Sequence, residues 1–256
     1  TLPGQAIPGA HLAEVGATHG GAFEAMRALI AHAADAGANA VKFQWVSDAT
    51  RLAAQRQETD ATPYDAIAFN PEWLPQLASR CAAMSVEFLC TVYLGGDLPV
   101  IAPLVRRFKV GSREARDAAF LNACAAFEKP MLVSTGAMTS HQLYALQKWA
   151  WEPRPALVTL LHCVSAYPTR MSDLNLRMID DLIVGFSDHT ANVLTGAWAV
   201  MRGAQLIEVH LRLLDTPANN PDFGHSLTPD ALGEYIANVR TAEVALGDGR
   251  KRRLDC

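Results

Sequence analysis

The chain has 256 residues, half of them apolar, and a formal net charge of −4, which suits one globular domain with a full core and excludes a disordered or low-complexity chain. Lys and Arg residues are scattered apart from a basic run at 250–253, read as a solvated tail, so no broad field for nucleic acid is expected. No apolar run approaches the roughly 20 residues of a membrane span, the first residues given lack the charged start and apolar core of a signal peptide, and the five cysteines form no C-x-x-C pair, so a soluble protein of the reducing cytoplasm is expected, with neither disulfides nor a zinc cluster.

Short apolar runs alternate with Ala-rich amphipathic runs from end to end. The predicted strands are 11–16, 39–45, 86–93, 107–112, 130–135, 156–163, 182–187 and 205–210, with helical periodicity filling the gaps between them. Gly37, Gly203 and Gly247 stand where helices should end. Eight strands and eight helices in this length have the rhythm of an α/β TIM (β/α)8 barrel, and no linker divides the chain, so residues 1–256 are read as one domain. A doubly wound open sheet would want a glycine-rich phosphate turn after an early strand, and neither G-x-G-x-x-G nor a Walker sequence is there.

TIM-barrel active sites lie at the C-terminal rim of the strands. The polar residues at the predicted strand ends are Glu14; Lys42 and Gln44; Thr91 and Tyr93; Lys109 and Ser112; Ser134 and Thr135; Ser165 and Tyr167; Ser187 and His189; and Glu208 and His210. Alternation puts Lys42 with Gln44, and Glu208 with His210, on one face, leaving Phe43 and Val209 to point outward. A hydroxyl at such a place often caps the next helix, and a lone histidine there is more often structural than a ligand. The set as a whole argues for a site.

Lys42 and Lys109 converging on a barrel mouth are costly to desolvate without an anion, so they predict a ligand carrying carboxylate or phosphate. Ser112, Ser134 and Ser187 at strand-to-helix junctions suit phosphate oxygens. His189 and His210, with no obvious third protein ligand, leave open positions on a divalent ion, as a catalytic metal requires.

Eight blocks carry a resemblance to a known family: Ala13-Glu-Val-Gly16, Ala38-Asn-Ala-Val-Lys-Phe-Gln44, Phe108-Lys-Val-Gly-Ser112, Lys129-Pro-Met-Leu-Val-Ser-Thr-Gly136, Leu161-His-Cys-Val-Ser-Ala-Tyr-Pro168, Gly185-Phe-Ser-Asp-His-Thr190, Ile207-Glu-Val-His210, and Pro221-Asp222 with Ser226-Leu227. In these, over nearly its whole length, the chain resembles the sialic acid synthase family, which condenses phosphoenolpyruvate with an aldose to make a 2-keto-3-deoxy sugar acid. The resemblance implies that Lys42 and Lys109 bind phosphoenolpyruvate, with Thr91, Ser112, Ser134, Ser165 and Ser187 holding its oxygens and Gln44 and Glu208 beside them. It implies a divalent metal, manganese before magnesium, on His189 and His210; sugar contacts from Glu14, Tyr167 and Asp222; and an acid/base role for Glu114.

Departures from the family pattern fall on the acceptor side. V-N-H-N-G becomes Ala17-Thr-His-Gly-Gly21, and P-D-H-x-A-S-L becomes Pro221-Asp-Phe-Gly-His-Ser-Leu227, which moves the histidine to position 225. The 256 residues hold no counterpart of the family's C-terminal antifreeze-like domain; taking this end as native, N-acetylmannosamine is not the expected acceptor, and Arg51, Arg170 or Arg212 could replace the arginine which that domain supplies. Small-molecule partners and a homodimer are expected. Two alternatives stay open: a keto-acid aldolase that releases no phosphate, and a non-catalytic or partner-dependent phosphoenolpyruvate-binding subunit.

Overall fold

A computed structural model describes residues 10–152 and 157–250; the expected start of the sixth strand at Ala156 and the basic run beyond Arg250 lie outside them. Eight parallel strands, β1 (Ala10–Gly16), β2 (Ala40–Trp45), β3 (Glu87–Val92), β4 (Phe108–Val110), β5 (Met131–Ser134), β6 (Val158–His162), β7 (Gly185–Asp188) and β8 (Leu206–His210), close in sequence order into a barrel. Every predicted strand is present, and the fold is the expected TIM barrel.

Alternation along the strands sorts the residues into two cores. Ala10, Leu12, Ala40, Leu89, Leu132, Leu161 and Leu206 fill the barrel interior, while Ala13, Val41, Phe43, Phe108, Val133, Ile207 and Val209 join the core between sheet and helices. Each fully buried leucine contributes roughly 1.5–3 kcal/mol. A Cβ on Gly185 would stand 2.5 Å from Leu161 Cγ, so the missing side chain on β7 makes room for the leucine on β6. Two residues further along several strands the inward positions turn polar, at Glu14, Lys42, Thr91, Ser134 and Glu208.

The helices are α1 (Phe23–Asp35), α2 (Ala49–Gln55), α3 (Trp73–Ala83), α4 (Leu98–Ile101), α5 (Ala118–Ala125), α6 (Ser140–Trp151), α7 (Thr195–Met201) and α8 (Pro229–Leu246). Asp48, Asp117, Thr139 and Thr228 cap α2, α5, α6 and α8 by accepting backbone N–H bonds, each worth about 1 kcal/mol. Gly37, Gly203 and Gly247 follow α1, α7 and α8 with φ of +87°, +108° and +61°, the positive-φ region that favours glycine.

The helices are not spread one per gap. Two, α2 and α3, lie between β2 and β3, and among the described residues no α-helix joins β6 to β7. There the chain makes two one-turn 3-10 segments, Met171–Asp173 and Leu176–Met178, separated by Asn175 at φ 46° and ψ 53°. The apolar residues of 171–183 mimic a helical period, but a left-handed residue in mid-run cannot propagate an α-helix. His162 Nε2 bonds Leu174 O at 2.8 Å and anchors this segment to β6.

Among the described residues no helix is long and apolar enough to cross a membrane. Cys81, Cys90, Cys124 and Cys163 are free and buried.

Candidate active site

A cavity of about 510 Å³ opens at the C-terminal ends of the strands. Register explains what lines it. Glu14 pairs in register with Lys42 on one side and His210 on the other, Gln44 with Thr91, Thr91 with Lys109, and Ser187 with Glu208, so inward polar groups on neighbouring strands stand at matching heights. All the expected site residues border the cavity except Glu14.

Glu14 is fully buried beneath that surface. Its Oε1 accepts from Gly16 N at 2.7 Å and from Gln44 Nε2 at 3.3 Å, and its other oxygen contacts Lys42 Nζ. The resemblance implies a sugar contact and a catalytic part for Glu14; the fold places it one layer below the wall, against Lys42.

The two lysines are also not uncompensated. Glu208 lies 3.6 Å from Lys42 and 3.4 Å from Lys109, and Ser187 Oγ donates to it at 2.7 Å. Lys109 Nζ donates to Ser134 Oγ at 2.7 Å and Lys42 Nζ to Thr91 Oγ1 at 3.1 Å. Two carboxylates thus neutralise two ammonium groups in a buried cluster, which is how a core tolerates them; the expectation that only a bound anion could do so is corrected. Burial pulls Lys42 down to about 8, with Glu208 opposing. Burial would raise Glu208, but Lys109 and Lys42 outweigh it and hold that carboxyl at about 2. What faces a ligand is a set of ammonium and hydroxyl donors over a fixed negative charge.

Beside them, Ser112 Oγ accepts from Gly136 N at 3.0 Å and touches Cys163 Sγ at 3.2 Å. Thr135, also noted at a strand end, donates to Leu161 O and does not line the cavity.

The opposite wall is aromatic and imidazole. His189 and His210 have ring centroids 5.4 Å apart, and Tyr167 packs 4.6 Å from His189. His189 Nδ1 bonds Val164 O at 2.9 Å; a carbonyl only accepts, so that nitrogen carries the hydrogen and Nε2 is left with its lone pair. Burial keeps both rings neutral, lowering His189 to about 4 and His210 well below the usual range. His210 Nδ1 is buried without a hydrogen-bond partner. Neutral imidazoles with unused nitrogens are the form a metal ion takes, so the residues fit a divalent cation. Asp222 Oδ2 accepts from Ala17 N at 2.7 Å and stands 3.8 Å from His210 Nδ1.

Sequence reasoning missed several wall residues. Arg56, from the C-terminus of α2, and Arg113 are the arginines that line the cavity, together with Cys163 and His225, while Tyr93, expected at its strand end, lines it too. Arg56 Nη2 bonds Glu114 Oε1 at 2.6 Å. Of the arginines considered as replacements, Arg170 is paired with Asp173 at the surface, Arg212 lies 4.1 Å over the Phe223 ring, and neither they nor Arg51 reach the wall. Strand ends could be read from the sequence, but Arg56 comes from the middle of a long connection, where nothing in the pattern fixes its direction.

A closed parallel barrel with its buried charges gathered at the C-terminal rim is a TIM-barrel enzyme. The NeuB family model matches residues 29–251, and the chain belongs to the NeuB family. It is 29% identical to the N,N'-diacetyllegionaminic acid synthase of Legionella pneumophila, over 95% of this chain and 75% of that protein. It is 30% identical to a pseudaminic acid synthase of Campylobacter jejuni, over 93% and 75%. The N-acetylneuraminic acid (sialic acid) synthetase of Leptospira borgpetersenii, solved in complex with citrate, superimposes with a TM-score of 0.86 at 25% identity, covering 95% of this chain and 87% of that one. The protein is thus an enzyme of the sugar acid synthase kind. A truncated 3-deoxy-D-arabino-heptulosonate 7-phosphate synthase of Thermotoga maritima, at 14% identity and a TM-score of 0.70, shares the fold.

Proposed function

We propose that this enzyme condenses phosphoenolpyruvate with a sugar aldehyde, giving a 2-keto-3-deoxy sugar acid and inorganic phosphate. The observation that carries the reading is the division of one cavity into an ammonium-and-hydroxyl wall and an imidazole wall. Lys42, Lys109, Ser112, Ser134, Ser165 and Ser187 supply donors for the phosphate and carboxylate oxygens of one reactant. His189 and His210 suit a divalent cation, which when bound supplies Lewis acidity toward a carbonyl oxygen.

Atoms balance with water as the third reactant. The C3 carbon of phosphoenolpyruvate bonds to the aldehyde carbon, whose oxygen gains a proton. Water adds at C2 and gives up one proton, matching the one gained by the aldehyde oxygen; the C2–O bond to phosphate then breaks as the new C2 hydroxyl becomes the keto group and passes its remaining proton to the departing phosphate. In this reading Lys109 and Ser134, paired at 2.7 Å on the ammonium-and-hydroxyl wall, hold the leaving phosphate, and their donors stabilise charge that grows as the bond breaks. Glu114, fixed by Arg56 on the same wall, is the candidate to carry a proton. The acceptor approaches past Tyr167 and Asp222.

The test is to supply phosphoenolpyruvate, a divalent cation and a panel of aldoses differing in N-acyl and phosphate groups. Expected is stoichiometric release of phosphate and a 2-keto acid with at least one acceptor. A keto acid formed from pyruvate without phosphate release would favour an aldolase instead.

A further inference from the structure

We propose that His225 is a third imidazole ligand of the metal site, which with His210 and Asp222 makes it a nitrogen-rich site for a late first-row divalent ion such as cobalt or zinc. The inference rests on the reading of the imidazole wall as the metal end, and it is independent of the substrates.

Candidate ligand atoms of His210, Asp222 and His225 all lie within 4.8 Å of one another. Ligands about 2.0–2.2 Å from one ion stand roughly 3–4 Å apart, so small side-chain rotations bring this set to coordinating distance. The three rings are placed around one point: centroids are 4.4 Å apart for His210 and His225, 5.4 Å for His189 and His210, and 5.9 Å for His189 and His225. His189 stands beside this group without belonging to it, and enters the site through the reading of the imidazole wall given above.

His225 is hard to explain otherwise. Its residue is 2% exposed, and neither ring nitrogen has a hydrogen-bond partner. Its Nε2 is 3.6 Å from Asp222 Oδ1, beyond hydrogen-bond reach. A buried imidazole with both nitrogens idle costs free energy that a bound ion would repay. The backbone holds it in place: Ser226 Oγ donates to Asp222 O at 2.6 Å, and Leu211 bridges to Leu227, tying the turn to the end of β8. Phe223, two residues earlier, packs under Arg212. Trading carboxylate and water ligands for imidazole shifts a site's preference away from magnesium.

The experiment strips the protein with a chelator, titrates it with Co2+, Zn2+ and Mg2+ alone, and compares it with His225→Ala and His225→Gln. Expected is a loss on the order of 100-fold in Co2+ and Zn2+ affinity in both variants, with Mg2+ binding little changed. Co2+-loaded protein should show paramagnetically shifted ring protons from three histidines, falling to two in the variants. Melting curves of the metal-free proteins check that the variants fold; should His225→Ala not fold, His225→Gln decides. Equal Co2+ affinity and an unchanged Co2+ spectrum in a folded variant would overturn the assignment. Because no substrate is used, cobalt binding through His225 in a protein with no synthase activity would sink the synthase reading and leave this one standing.

Discussion

Arg56 Nη2 meets Glu114 Oε1 at 2.6 Å, with the guanidinium 4.9 Å from the Tyr93 ring and 5.1 Å from that of Tyr64. Held between two rings and also bonded to Tyr64 Oη at 3.2 Å, the arginine has little freedom. It fixes one oxygen of Glu114 and leaves the other over Gly111, where a Cβ would come within 2.6 Å of Oε2. Arg56 is thus a positioning residue for a carboxylate on the cavity wall. Arg56→Gln should lower kcat by about 100-fold, the low end of what proton transfer contributes, with KM for phosphoenolpyruvate little changed. Arg56→Lys should recover part of it. Steady-state kinetics separate this from a structural role, since a loosened wall would raise KM as well.

Lys109 binds in two directions, to Ser134 and to Glu208. Lys109→Ala should weaken phosphoenolpyruvate binding by about 10- to 100-fold, as for a lost charge-assisted bond, with metal binding retained. It also leaves the buried cluster with two carboxylates, Glu14 and Glu208, against the single ammonium of Lys42, at a cost of up to about 3–5 kcal/mol in stability. Adding Glu208→Gln should return most of the stability but not the affinity. Chemical denaturation and calorimetry on both variants read the two effects apart.

The barrel was legible because strand alternation is strict: an inward Lys42 implies an inward Gln44, and register carries matching heights to neighbouring strands. Three things were not. Alternation says that Glu14 points inward but not that Gln44 and Lys42 cover it. Loops obey no period, so the direction of Arg56 and the inward turn of His225 depend on tertiary packing. The missing helix between β6 and β7 turns on one residue, Asn175, whose left-handed conformation interrupts an otherwise helical pattern.

His19 should make the fold acid-labile. It is buried, its ring packs edge-on to Phe69 with centroids 5.6 Å apart, and its Nδ1 accepts from Gly21 N at 3.0 Å. Burial lowers it to about 4 from an ordinary 6.5. The unfolded chain therefore takes up a proton below about 6.5 that the folded protein refuses until about 4. Stability is fully present above 6.5 and falls as pH drops through that window, by about 3 kcal/mol from this residue. Unfolding free energies measured from pH 7 to 4 should fall less steeply in His19→Gln, by close to one proton's worth of slope; equal slopes would contradict the assignment.

Gly196 should not tolerate alanine. A Cβ there would stand 2.5 Å from Tyr235 Cζ and Oη, on a fully packed ring between α7 and α8. That hydroxyl donates to Asp188 Oδ2 at 2.9 Å, behind the strand that carries His189. Overpacking of this kind costs typically 1–3 kcal/mol. Gly196→Ala should lower Tm by several degrees, while Gly233→Ala, whose Cβ meets nothing within 4 Å, should not.

Lys42 gives the anion site an upper pH limit. In the free enzyme burial draws it down to about 8, although Glu208 favours the charged form. An anionic ligand gains only from the ammonium form, so affinity is flat below about 8 and falls by up to tenfold for each further pH unit as the proton leaves. A bound anion favours the charged form, so binding above pH 8 should take up a proton. Calorimetry of phosphoenolpyruvate binding between pH 6.5 and 9.5, in buffers of different ionisation enthalpy, measures affinity and proton uptake together. In Lys42→Met the affinity should be lower throughout and its fall above pH 8 absent; a variant that kept the alkaline fall would assign the titration to another group.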